Sequence, residues 1–143
     1  MLDRLDDHTG KCLLRVSLGL LLLPHGIEKL FGGVDRVLRL VNSAGLPEPL
    51  GYAVFIGELV APLMLIIGYQ VRWAALLVVV NMVLAIAIVH SGDLLAFSRQ
   101  GTFVLELEYF FLLTATAVMF LGPGRWAIQG EMASGRGKVP KRS

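Results

Sequence analysis

Apolar residues gather along this chain in four long stretches. Polar positions fall mainly at the ends of those stretches, with a few inside them. The stretches are Lys11 to Phe31, Leu50 to Gly68, Trp73 to His90 and Phe103 to Leu121. Each is close to the roughly 20 residues that cross about 30 Å of hydrocarbon. Backbone polar groups must be satisfied within lipid, so each stretch is predicted to be a helix. The link Tyr69-Gln70-Val71-Arg72 is tight and makes the second and third helices antiparallel neighbours. In the longest link, Gly32 to Pro49, residues Val34, Val37, Leu38 and Val41 share one face, and Asp35, Arg36 and Arg39 turn toward the other. That pattern predicts a short interfacial helix on the outer surface. Gly45, Pro47 and Pro49 then break it. Ser91 to Thr102 reads as a polar outer loop, and Gly122-Pro123-Gly124 ends the fourth helix. The predicted fold is all-α: a four-transmembrane-helix bundle with a short interfacial helix between spans one and two. Residues 1–127 form a single membrane domain, and residues 128–143 form a basic, disordered cytoplasmic tail.

Composition excludes an ordinary soluble domain. The chain has 143 residues, of which 55% are hydrophobic, and its mean hydropathy is +0.69; too little polar surface is left to cover four such stretches. A cleaved signal peptide fits the first stretch poorly. Asp3, Asp6 and Asp7 spoil a basic leader, and His25, Glu28 and Lys29 stand where small residues should precede a cleavage site. With four spans both termini share one side, along with Arg4, Lys11, Arg72, Arg125, Arg136, Lys138, Lys141 and Arg142. The other side holds Lys29, Arg36, Arg39 and Arg99. This bias places both termini in the cytoplasm, with the protein in the cell's inner (plasma) membrane. The net charge of +2 is small, and the basic tail suits anionic headgroups rather than nucleic acid. The lone Cys12 reads as a small packing residue, since no CxxC accompanies it.

The ionisable residues inside the spans carry the chemistry. Glu58 lies about 12 Å into the second helix. A charge near the bilayer centre costs roughly 2.5–3.5 kcal/mol even on a lenient scale, so its side chain is expected to face the bundle interior. Pro62, one turn on, cannot donate to the Glu58 carbonyl. His25, Glu28 and Lys29 end the first helix, His90 closes the third, and Glu106 and Glu108 open the fourth, all in the outer half. His25, Glu28 and Lys29 fall within about 60° of one another. Glu106 and Glu108 are about 200° apart, so only one can point inward. Asn81 and His90 fall on opposite faces and are not assigned to one site. Arg15 lies near the cytoplasmic end, where it can snorkel or pair within the bundle. The residues lack dense metal-ligand spacing, so no metal is expected. No haem motif, phosphate loop or nucleophile constellation is present.

These residues carry a resemblance. Leu14-Arg15, Gly19, Pro24-His25-Gly26, Lys29 and Phe31-Gly32 are followed by Gly45-Leu46-Pro47, Gly57-Glu58-Leu59, Gly68 and Arg72. His90, a glutamate opening span four and Gly122-Pro123-Gly124-Arg125-Trp126 complete the series. Over nearly its whole length the chain resembles the DoxX family of small four-helix membrane proteins. The family pattern falls on Arg15, His25, Lys29, Glu58, Arg72 and Glu106, with Glu106 chosen over Glu108 by its spacing to Gly122. The resemblance implies a ligand or proton-relay cluster of His25, Lys29, Glu58 and Glu106, with Glu28, His90 and Glu108 as secondary candidates. It gives Arg15, Gly26, Arg72, Gly122, Pro123, Gly124 and Arg125 structural roles. It also implies a membrane subunit or partner of a quinone-linked oxidoreductase system. On this expectation the chain holds no intrinsic cofactor, takes quinone as its candidate ligand, works beside a soluble or membrane oxidoreductase and can form homo-oligomers. The alternative is a non-catalytic membrane scaffold or small-molecule carrier.

Overall fold

The computed structural model describes residues 6–89, 94–98 and 101–128. Helix α1 runs over Asp7–Ser43. It starts where the Asp6 carboxylate accepts from the His8 backbone N–H at 3.3 Å, satisfying one of the donors a helix start leaves open. The helix is broken once, at Gly33 (φ 130°, ψ 99°), a backbone conformation that only glycine adopts without strain. Past the break it resumes to Ser43 as a second limb. Val37 and Val41 are buried on this limb, while Asp35, Arg36 and Arg39 are exposed, so the amphipathic pattern is realised.

The next helix is built in three pieces. Helix α2 spans Pro49–Phe55, a π-helical turn spans Ile56–Val60, and α3 spans Ala61–Ile67. The Ala61 N–H reaches back five residues to the Ile56 carbonyl, which is the wide π spacing. This turn sits directly before Pro62, which has no N–H for the carbonyl four residues back. Gly68 (φ 76°) ends α3 in the left-handed region. Its N–H and that of Tyr69 both reach the Met64 carbonyl at 2.9 Å, closing the helix end. Helix α4, Val71–Val89, follows after a three-residue turn and is apolar on all sides. Helix α5 covers Glu106–Leu121.

Helix α5 starts later than the expected Phe103. Phe103 forms an antiparallel bridge with Phe97, their rings stack at 4.6 Å, and Val104 N–H donates to the Ala96 carbonyl. Gly101 (φ 80°) makes the turn between them. An apolar run by itself does not distinguish such a paired segment from a helix start. The described part of the expected polar loop is also less polar than anticipated, with Leu94, Leu95 and Phe97 exposed.

Three helices are long and apolar enough to cross a membrane: Asp7–Ser43, Pro49–Ile67 and Val71–Ile88. The core is made by Leu18 and Leu22 of α1, Ala61 and Leu65 of α3, Ala74, Ala75, Val78 and Met82 of α4, and Phe111, Ala115 and Val118 of α5. Small residues let the helices approach closely. A Cβ on Gly19 would lie 2.8 Å from the Pro62 carbonyl oxygen, and one on Gly26 would lie 2.4 Å from that of Glu58. This is the small-residue packing expected where lipid supplies no hydrophobic drive between helices. The outer surface is apolar instead, with Phe31 84% exposed and Leu13, Trp73, Leu113 and Phe120 also outside. Apolar residues outside and buried charges inside describe a protein whose solvent is a bilayer.

Candidate functional site: a carboxylate beside an apolar cavity

Glu58 is 1% exposed and stands on the π-helical turn. The turn adds a residue to the helix repeat and so re-aims the side chains on it. Lys29, on α1, donates to Glu58 Oε1 from 2.5 Å. Asn81, on α4 and 5% exposed, donates Nδ2–H to the same oxygen at 3.1 Å. Three helices therefore meet on one carboxylate oxygen. The second oxygen, Oε2, is buried and has no hydrogen-bond partner. Leaving a buried acceptor unpaired is unfavourable by about 1–3 kcal/mol, so Oε2 is the oxygen of this carboxylate that can still accept a hydrogen bond.

The approach of α1 is fixed by glycine. Gly26 sits on the Glu58 backbone, and Gly57 lies against the Asn81 side chain, where a Cβ would be 2.6 Å from Asn81 Cβ. Gly26 precedes Lys29 by about one turn, so the same close contact that packs the helices delivers the ammonium to Glu58.

A cavity of about 300 Å³ lies beside this group. Leu22, Val37, Leu50, Val54, Met82 and Phe111 supply much of its apolar wall, and the second limb of α1 covers it through Val37, Leu40 and Val41. Its polar wall consists of His25, Lys29, Glu58 and Glu108. His25 and Leu40 of α1 and Leu107 of α5, on the wall, are also exposed at the surface, so the wall reaches the outside of the bundle at these two helices. His25 Nδ1 bonds the Leu21 carbonyl at 3.0 Å, and its ring meets that of Phe111 edge-on at 5.5 Å. A volume of this size with few polar groups on an apolar wall is what small-molecule sites offer.

Of the candidate residues, His25, Lys29, Glu58 and the secondary candidate Glu108 line one cavity, and Glu106 does not. Glu106 is exposed and absent from the cavity wall, whereas Glu108 is half-buried on it. The buried face of α5 is Phe111, Ala115 and Val118. Glu108 lies within about 60° of Phe111, while Glu106 falls on the far side. Glu28 is exposed and turns its carboxylate along its own helix, with Oε1 3.1 Å from a Cβ position on Gly32. His90 lies outside the described residues. Asn81 is the partner that sequence reasoning missed. Its signal was available, since an amide in an otherwise apolar run is the same kind of anomaly as Glu58. Among the described residues no three His, Cys, Asp or Glu side chains are grouped to hold a metal ion.

Apart from Gly26, which packs on Glu58, the residues with expected structural roles gather at the other end of the bundle. Arg15 is 1% exposed. It donates to the carbonyls of Leu65 at 2.5 Å, Ile66 at 3.0 Å and Trp126 at 2.5 Å, and to Cys12 Sγ at 3.8 Å. It neither snorkels nor pairs with a carboxylate; its charge is met by the open carbonyls at the C-terminal end of α3, the negative end of that helix. Gly122 (φ 77°) ends α5 beside the Arg72 guanidinium, with Nε 3.4 Å from its Cβ position. Gly124 (φ 71°) packs on Lys11 and His8. Pro123, between them, and the exposed Arg125 complete the turn that returns the chain to Arg15.

The family model for DoxX matches residues 10–91. The protein named "Putative oxidoreductase CatD" from Bacillus subtilis (strain 168) is 26% identical over 109 residues, covering 76% of this chain and 75% of that protein. No solved structure matches the chain.

Proposed function

This chain belongs to the DoxX family, and on that premise we propose that it is the membrane component of a quinone-linked oxidoreductase system, binding a quinone-type head group beside Glu58. The observation that carries the reading is Glu58, a buried carboxylate with one oxygen unpartnered, among the residues that line an apolar cavity. A quinone couple supplies two-electron, two-proton chemistry when bound. The residues of this chain supply the setting. Lys29 has N–H groups beyond the one given to Glu58 and can donate to a ring oxygen. Glu58 can accept from a ring hydroxyl and hold or release its proton. Val37, Leu50, Val54 and Phe111 exclude water, and an apolar tail would pass into the bilayer beside the exposed Leu40 and Leu107.

The name of the Bacillus relative supports a redox setting, in which a partner oxidoreductase would provide the electron transfer. We further propose that α5 is a fourth span, that the second limb of α1 lies at the outer interface, and that both termini are cytoplasmic in the plasma membrane. The Lys and Arg distribution supports that orientation. Replacing Glu58 by Gln keeps size and removes charge; in the reconstituted system it should leave membrane assembly intact and depress quinone-dependent turnover by about 10-fold or more. A scaffold or carrier is the second reading, favoured by the way Glu58 ties three helices together. Full turnover of Glu58→Gln, with no quinone bound to the wild type, would establish that reading instead.

A further inference from the structure

We propose that the cavity selects the reduced, hydroxyl-bearing form of its aromatic ligand over the oxidised form. This rests on the quinone-site reading above. The wall carries more acceptors than donors.

His25 Nδ1 faces the Leu21 carbonyl at 3.0 Å. A carbonyl only accepts, so Nδ1 carries the hydrogen, and in the neutral ring Nε2 is left with a lone pair and accepts. Glu58 Oε1 is occupied by Lys29 and Asn81, and Oε2 waits for a donor. Glu108 adds a second carboxylate to the wall. Against these three acceptors the wall sets one group with hydrogens to give, the Lys29 ammonium. The remaining lining residues are apolar.

A quinone ring carries carbonyl oxygens that only accept. It can satisfy Lys29, but it leaves Glu58 Oε2 unpaired and brings its own lone pairs toward carboxylates. A hydroquinone carries two O–H groups. One can donate to Glu58 Oε2 and the other to Glu108 or His25 Nε2, while a ring oxygen still accepts from Lys29. The reduced form therefore completes the wall and the oxidised form does not. Hydrogen bonds to a charged acceptor are among the stronger ones, and filling one vacant buried acceptor corresponds to a preference of about tenfold or more. A tenfold preference for the reduced form raises the two-electron potential of the bound couple by about 30 mV.

The test is binding, with no turnover involved. The full chain is placed in lipid nanodiscs under anaerobic conditions and titrated with decylubiquinone and, separately, with decylubiquinol, using empty nanodiscs to subtract partition into lipid. The expected result is about tenfold or more tighter binding of the reduced form. Glu58→Gln should shrink or reverse that preference because the amide has N–H groups to give. Glu108→Gln, at a half-buried position that tolerates the change, should reduce it in the same direction. Glu106→Gln, outside the cavity, should leave it unchanged. Equal or tighter binding of the oxidised form by the wild type overturns the selectivity while leaving the quinone site in place. Binding of neither form above the lipid background overturns both.

Discussion

Replacing Gly26 by Ala tests whether the packing of α1 and the geometry of the site are one feature. The added Cβ would lie 2.4 Å from the Glu58 carbonyl oxygen, 2.7 Å from its carbon and 2.9 Å from Leu59 Cδ2. The leucine tip can swing aside; the backbone atoms cannot. An ordinary contact begins near 3.4 Å, so the two helices must separate by about 1 Å to relieve the overlap. Overpacking of this kind is unfavourable by about 1–3 kcal/mol. The same displacement carries Lys29 away from Glu58. Their 2.5 Å contact would stretch to about 3.5 Å, beyond hydrogen-bond range, so the upper end of that range is expected. About 3 kcal/mol corresponds to a fall in melting temperature of roughly 10 °C for a chain of this size. The assay is thermal unfolding of the purified protein in bicelles, followed by tryptophan fluorescence. Gly10→Ala is the internal control, because nothing lies within 4 Å of its Cβ position. Within the first turns of α1 it should stabilise by about 0.5–1 kcal/mol. A Gly26→Ala protein that melts within about 1 °C of wild type would refute the reasoning.

Two further outcomes follow from the ion pair and the charge distribution. Lys29→Met alone should destabilise by about 3–5 kcal/mol, because it leaves the Glu58 charge buried without its cation, whereas Lys29→Met combined with Glu58→Gln should recover most of that loss; equal stability of the single and double variants, read by the same melts, would deny the pairing. In a Cys12→Ala background, Glu48→Cys should react with an impermeant maleimide added to intact cells and Asp7→Cys should not; the opposite pattern would reverse the proposed topology.

The depth of Glu58 and the four-residue step from His25 to Lys29 were legible in the sequence because both follow from helix geometry alone. So was the amphipathic limb after Gly32, since Val37 and Val41 are one turn apart. The choice within α5 was not made by geometry. Family spacing favoured Glu106, whereas the apolar positions Phe111, Ala115 and Val118 define the buried face and place Glu108 nearer to it. The pattern of α4 alone relates Asn81 only to His90, on the opposite face; its partner Glu58 is on a different helix, whose register no single-helix argument supplies. The π-helical turn was invisible for a similar reason. It depends on Pro62 and on the contacts of Gly26 and Gly57 with neighbouring helices, which exist only once the bundle has formed. Arg15 was placed at the correct end, but its partners are backbone carbonyls at a helix terminus and a fold-back segment, which carry no side-chain signature.

The central claim is that a quinone-type head group occupies the cavity beside Glu58. Photo-crosslinking with an azido-quinone in nanodiscs, followed by peptide mapping, tests it most directly. Labelling should concentrate on wall residues such as Met82 and Phe111, be competed by unlabelled quinol and fall in Glu58→Gln. Labelling confined to outward-facing residues such as Leu113 and Phe120, unaffected by competitor, would contradict it.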